Sequence, residues 1–510
     1  VDHPDLANIA CLVAAAGVAL LIAGRGRAMV VGGLALVGLG GAGLLGAAPD
    51  TGSLDALASG PGAAAALLGL AAAGGVAALF VRRPAWLPVA VLVAAPLRPP
   101  LTLGDGGGFP IQLAEDGELG RLLLLYFVLG AGALALAWRA LRSREQGTLP
   151  VRALPVTVAW PAAALLAFAC ISLLWADSPV PGAESLVFFL LPFAVLLGTL
   201  GRSPFPDWMP RTLGGAAIAM AALFAVIGLF QAATRELFFF APNLALSNAN
   251  SNFFRVTSLF GDPSLYGRHL VVGLGIVLAL MALRRIDPRL ATGLVVLLWA
   301  GLFVSYSQSS MVALVVVTLV IAGLTGTRRI RLAVVGTFVL VAVVAIGYLV
   351  SIPVRGESLR TETADRSQRI EETVRVIERH PVAGVGIGGQ PEASRNLSAR
   401  DRPTPNFVSH TAPLTVFAEL GAIGLALLAW LLVGAVRMLT AVRRLEPGLG
   451  LALLAALIGL FVQSLFYPGF LEDPLTWVVL GVGAGYLTWP RRDDGTGRGE
   501  PTADAAEARA

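Results

Sequence analysis

Apolar runs close to twenty residues long recur from one end of this chain to the other, and a run of that length crosses a hydrocarbon core as a single helix. They trace to 7–24, 28–47, 61–81, 85–103, 119–138, 155–175, 184–201, 212–233, 265–283, 290–306, 309–325, 332–352, 412–436, 448–467 and 474–490, about fifteen spans in all. The fourth is interrupted by Pro96, Arg98, Pro99 and Pro100, and the eleventh is short. Only 14% of the 510 residues are charged and 56% are hydrophobic, too little polarity to cover a soluble surface of this size. The expected fold is all-α, a polytopic integral membrane protein. The first run lacks a basic leader and cleavage site and reads as a retained helix.

Charge placement orients the trace. Arg25/Arg27, Arg82/Arg83, Arg139/Arg142/Arg144/Arg152, Arg202/Arg211, Arg284/Arg285/Arg289, Arg328/Arg329/Arg331, Arg437/Arg443/Arg444 and Arg491/Arg492 fall at alternate junctions. The junctions between them carry Asp50/Asp55, Asp105/Glu115/Asp116/Glu118, Asp177/Glu184, Glu236/Asp262 and Glu472/Asp473. Because basic loops stay inside, one orientation fits throughout: N-terminus outside, C-terminus cytoplasmic, and the long loop 354–411 outside. The formal charge of +5 is spread over these clusters and forms no basic domain, so nucleic acid is not an expected partner. Cys11 and Cys170 both fall in apolar runs and imply neither a disulfide framework nor a thiolate metal site. There is no GxxxxGK[ST] loop for a nucleotide and no His/carboxylate cluster with ligand spacing, so neither metal nor cofactor is expected.

The polar chemistry concentrates on the outer face. The loop 354–411 contains an amphipathic run that starts at Arg366, with Ile370, Val374 and Ile377 on one face, which suits a helix lying on the membrane. Next comes Gly384-Val385-Gly386-Ile387-Gly388-Gly389, which lacks the strand context of a phosphate loop and reads as a flexible turn. His410 is a candidate general base or an exposed loop histidine, and the sequence leaves both open. Arg255 and Arg366 are candidate anion ligands or solvated helix-end charges. Arg268 and His269 sit one turn inside a span, where an arginine could serve a cavity or snorkel to the interface. Glu419, inside the span after His410, reads as a partner or orienting group, and Arg98 as a weaker anion ligand. Outer loops 103–120 and 235–262 complete this face, the second carrying Phe238-Phe239-Phe240, which suits lipid contact as well as any specific role.

Together these elements resemble the O-antigen ligase and polymerase superfamily of bacterial membrane glycosyltransferases, best over roughly 155–470. The resemblance rests on Arg255 ahead of Phe260-Gly261-Asp262-Pro263, on Arg366 before His380-Pro381-Val382-Ala383-Gly384-Val385-Gly386, and on His410 followed by Ala418-Glu419-Leu420-Gly421. Leu173-Leu174-Trp175-Ala176-Asp177-Ser178-Pro179 also looks like a family element. The chain departs from the family at His410-Thr411, where His-Asn is common, and at Ser309-Ser310, where a Ser-Arg pair is common. Arg268 or Arg98 would have to compensate for that arginine.

The resemblance implies a GT-C-like membrane enzyme that moves a glycan from an undecaprenyl-pyrophosphate-type lipid to an acceptor hydroxyl outside the cytoplasmic membrane. His410 would deprotonate the acceptor and the anomeric carbon would invert. Arg255 and Arg366 would stabilise the pyrophosphate leaving group, with Arg268, Glu419 and Arg98 in support. The acceptor, whether glycan, lipid or protein, and hence ligase against polymerase, stays open. The expected organisation is N-terminal spans over 1–150, a catalytic membrane region over 151–490 and a disordered tail over 491–510. The alternative is a secondary transporter or lipid flippase. That class places ionisable groups at the bilayer midplane, which is nearly bare here.

Overall fold

A computed structural model describes residues 4–47, 60–98, 122–142, 151–176, 179–240, 242–354, 366–397, 409 and 411–489. The described residues form helices and turns, without a strand. In chain order the helices are α1 (Pro4–Ala23), α2 (Arg27–Gly46), α3 (Gly60–Arg82), α4 (Leu87–Ala94), α5 (Leu123–Leu141), α6 (Val156–Ile171), α7 (Pro179–Leu200), α8 (Met209–Thr234) and α9 (Pro242–Ala249). They continue with α10 (Pro263–Ala282), α11 (Pro288–Ser305), α12 (Gln308–Thr325), α13 (Arg328–Val354), α14 (Arg366–Arg379), α15 (Gln390–Asn396), α16 (Ala412–Leu445), α17 (Pro447–Ser464) and α18 (Pro474–Thr488).

Each expected span has a helix in its place. Among the described residues eleven are long and apolar enough to cross a membrane, or twelve if the bent pair α3–α4 is one span. Two of the spans outside that count are short: α18 has only 15 residues, and the fourth span is a fragment. At Arg83 the chain bends by 110° and a 3-10 turn, Pro84–Trp86, leads into eight residues of α4. The helix stops before Pro96, as a proline-rich stretch demands. The segment nevertheless runs from one end of the bundle to the other. Trp86 packs on Trp208, 5.4 Å between ring centroids, at an arginine-rich junction, whereas Arg98 lines a cavity at the opposite end with Arg268 and Tyr467.

The two kinds of junction segregate as the alternating charges require. Arg202 donates to the Gly24 carbonyl at 3.0 Å, Arg152 to that of Thr488 at 3.2 Å and Arg443 to that of Leu324 at 2.7 Å. Arg285 pairs with Glu446. These bonds tie the arginine-rich ends to one another. At the acid-rich end Arg268 pairs with Asp473, and Thr411 Oγ1 donates to the Leu465 carbonyl at 3.1 Å.

The apolar side chains form two large clusters. One unites α1–α7 with α16–α18, and the other unites α8, α10, α11 and α12. Both take residues from α17: Leu454 and Leu457 in the first, Leu451 and Ala455 in the second. That helix, the most buried of the candidate spans, is the hinge line of the fold, and cavities open along the seam beside it.

A third, small cluster docks the described part of the long loop. Val376 and Ile377 of α14 pack with Val385 and with Ala418 of α16. The expected single apolar face is therefore divided: Ile377 turns inward against the protein, while Ile370 and Val374 stay exposed. The protein's own α16, rather than a lipid surface, is the first partner of α14.

Candidate active site

The site begins with a break in α16. Gly421 has φ 65° and ψ −166°, a conformation open to glycine alone. The break separates two pairs that a continuous helix would join, Ala418 carbonyl with Ala422 N–H and Glu419 carbonyl with Ile423 N–H. The turn 381–386 inserts and satisfies all four groups. Val385 N–H donates to Ala418 O at 3.0 Å and Gly386 N–H to Glu419 O at 2.9 Å. Ala422 N–H donates to Pro381 O at 2.9 Å and Ile423 N–H to Val382 O at 3.3 Å. At membrane depth, where water does not reach, irregular backbone persists only with such substitutes.

The glycine run expected to be a flexible turn is thus a packed plug. A Cβ on Gly384 would stand 2.3 Å from the Glu419 carbonyl, and one on Gly386 would stand 2.6 Å from Ala176. Ile387 N–H donates to Ser172 Oγ at 3.0 Å. Residues 172–176, the start of the Trp175-bearing motif, are the seat of the plug.

Beside the broken helix lies a cavity of about 320 Å³ on the seam. Its polar wall is Arg98, Arg268, Glu419, Tyr467, Glu472 and Asp473, and its apolar wall includes Leu165, Phe189, Ala412 and Val416. Arg268 is buried and held by its own protein. Its Nε donates to Gln463 at 2.8 Å and Nη1 to the Gly469 carbonyl at 3.0 Å, and it pairs with Asp473. Asp473 also caps α18, accepting from Leu475 N–H at 2.7 Å. Arg268 therefore fixes the loop 465–473 against α10 and has its charge matched. Its neighbour His269 bonds the Leu265 carbonyl at 2.9 Å and stacks on Phe260 at 4.4 Å, as a packing residue does.

Arg98 has no described ion pair, which leaves it as the cation of this wall for an anionic ligand. The backbone N–H groups of Gly388 and Gln390, from the plug, approach the buried Glu419 carboxylate. Burial raises the Glu472 carboxyl above its ordinary range, so it keeps its proton more readily and can donate a hydrogen bond where an ionised acid would repel a phosphate. Burial likewise raises the Tyr467 phenol, whose O–H is hydrogen-bonded to Asp262 and whose oxygen can still accept.

The cavity brings together three of the expected residues, Arg98, Arg268 and Glu419. Arg255 does not line it; its backbone N–H and C=O are clamped by the Asn248 side chain, both at 3.0 Å, beside α11. Arg366 is the first residue of α14. His410 lies outside the described residues, as do the outer loop at 103–120 and the tail at 491–510. Of the described residues nearest His410 in sequence, Ala412 lines the wall, and Ser409 N–H donates to Gln390 at 2.9 Å. Tyr467 and Glu472 were not among the expected residues. In the sequence, Glu472 counts for sidedness alone, and Tyr467 stands at the end of the 448–467 span.

Residues 293–429 match the family model of the O-antigen ligase. The match runs from α11 through the plug to the break in α16. It includes Glu419, while Arg98, Tyr467 and Glu472 lie beyond its limits. No curated protein matches the chain.

Proposed function

We propose, for a chain that belongs to the O-antigen ligase and polymerase family, a transfer reaction carried out in the seam cavity. The match supports a multi-pass membrane protein of the glycan ligase or polymerase kind in general, and polyprenyl-linked glycan donors and acceptors are the substrates proposed for it. The finer reading is an inverting transfer from a polyprenyl-pyrophosphate glycan to an acceptor hydroxyl at the outer, acid-rich face. The observation that carries it is Arg98 facing Tyr467, Glu419 and Glu472 in one cavity, walled by the first turns of family-matched α16.

In this reading His410 takes the proton of the acceptor hydroxyl as the oxygen attacks the anomeric carbon. The bond from that carbon to the pyrophosphate oxygen breaks on the opposite face, and the negative charge gathers on the leaving polyprenyl pyrophosphate. Arg98 stabilises that charge more in the transition state than in the ground state, and Arg255 and Arg366, outside the cavity lining, are carried as further candidate ligands of the pyrophosphate. Glu472, when it carries its proton, donates to phosphate or sugar oxygens, and the Tyr467 phenol oxygen and Glu419 accept from sugar hydroxyls. Arg268 acts as a positioning residue through Asp473. The reacting groups fall within 151–490, joined by Arg98 from the N-terminal spans.

Purified protein supplied with a polyprenyl-pyrophosphate oligosaccharide and candidate acceptors should form the transferred glycan with inverted configuration. His410→Ala should abolish product and Arg98→Ala should cut the rate while the donor still binds. Full activity in His410→Ala sinks the base assignment, and full activity in Arg98→Ala removes this cavity from the reaction.

A further inference from the structure

A second and larger cavity, about 1040 Å³, lies on the same seam toward the arginine-rich end. The reaction proposed above makes no use of it. Its body is apolar, walled by Val272 and Ile276 of α10, Leu453 of α17, and Val478 and Val482 of α18. Its mouth is polar and amphipathic, with Asp207, Trp208, Arg211, Arg285, Glu446 and Trp489 around it.

We infer that this groove holds one diacyl phospholipid with a zwitterionic head, its chains along the seam and its phosphate on Arg211. An apolar void of this size among membrane spans would forfeit dispersion contacts on every wall if left empty, and the molecule at hand to fill it is lipid. The two tryptophans stand where indole rings settle, at the level of the headgroups. The mouth carries two guanidinium and two carboxylate groups, Arg211 and Arg285 against Asp207 and Glu446. Arg285 and Glu446 already pair with each other, which leaves Arg211 for a phosphate and Asp207 for an ammonium. An anionic head would satisfy the first and be repelled by the second. The α8 wall is cut back to receive the chains: a Cβ on Gly214 would meet no atom within 4 Å.

The full-length protein, purified in mild detergent and offered equal phosphatidylethanolamine and phosphatidylglycerol, is examined by native mass spectrometry. One phosphatidylethanolamine should be retained per chain, at least tenfold above phosphatidylglycerol. Gly214→Leu, at a groove-lining glycine where an added Cβ meets no atom within 4 Å, should lose retention about tenfold, as should Arg211→Gln at the exposed mouth. Gly293→Leu, also at a glycine with open space, should bind as the parent does. Equal retention by Gly214→Leu and the parent overturns the site. Preference for phosphatidylglycerol overturns the head assignment, and one-for-one displacement by undecaprenyl phosphate gives the groove to the donor's chain instead. The readout needs no turnover, so its failure is distinct from failure of the proposed reaction.

Discussion

Replacing Gly421 by alanine tests the plug as a structural device. Its φ and ψ lie in the region essentially confined to glycine, so a side chain there costs about 1–3 kcal/mol in backbone strain. The new Cβ would stand 2.1 Å from the Val382 carbonyl oxygen and 2.5 Å from the Ala383 nitrogen. These are backbone atoms, so the turn itself must withdraw. Withdrawal breaks the four bonds between 381–386 and 418–423, each worth about 0.5–1.5 kcal/mol net, or roughly 2–6 kcal/mol together. Those bonds favour docking with or without the substitution, so the shift comes from the strain itself: about 1–3 kcal/mol lowers the docked-to-undocked ratio roughly 5- to 150-fold at about 1.4 kcal/mol per decade, before the clash is added. The assay is maleimide labelling of Ile387→Cys, a buried position of the plug. Labelling should be slow in the Gly421 background and at least tenfold faster with Gly421→Ala, while glycan transfer falls in parallel. Gly38→Ala, where an added Cβ meets nothing, is the control. Unchanged labelling together with unchanged transfer would refute the claim that the plug holds the site.

Arg268→Met should destabilise the protein by about 3–5 kcal/mol because it strands Asp473 buried without its partner; the double variant with Asp473→Asn should recover part of the loss in thermal unfolding. Arg98→Ala should slow transfer about 10²–10³-fold, the usual cost of one charge-stabilising donor, with little change in melting temperature. Glu472 has a folded pKa raised by burial, so its contribution to stability is complete below the unfolded carboxyl pKa and is lost as pH rises toward the folded value. Glu472→Gln should therefore match the parent in acid and exceed it in melting temperature above that window; a parallel pH profile for both proteins would contradict the assignment.

Helix positions were legible because a bilayer imposes one length and one composition on every span. The fourth was misjudged in form since hydropathy at 85–95 outweighed Pro96, Pro99 and Pro100, which end the helix at Ala94. Arg98, Arg268 and Glu419 could be named from the cost of placing charge near lipid, yet sequence does not tell a locked arginine from an available one. That distinction depends on Gln463, Gly469 and Asp473, some two hundred residues away. The glycine run was illegible for a related reason. Its role is to fill a gap in another helix, and neither segment alone shows that the other is missing hydrogen bonds.

The fourth crossing has a consequence for how the chain enters the bilayer. Eight helical residues rise about 12 Å, against a hydrocarbon core of about 30 Å, and the turn that follows, in which Ala95 and Leu97 N–H donate back to Val91 and Ala94, ends the regular helix well short of that thickness. Such a segment cannot partition from the translocon as an independent stop or start. Its transit to the far side depends on α5 and α8 being present to cover it, so side choice here is decided by tertiary assembly after synthesis has passed it. Reporter fusions truncated just after Arg98 should land on the wrong face, and fusions extended beyond Thr234 should land on the right one.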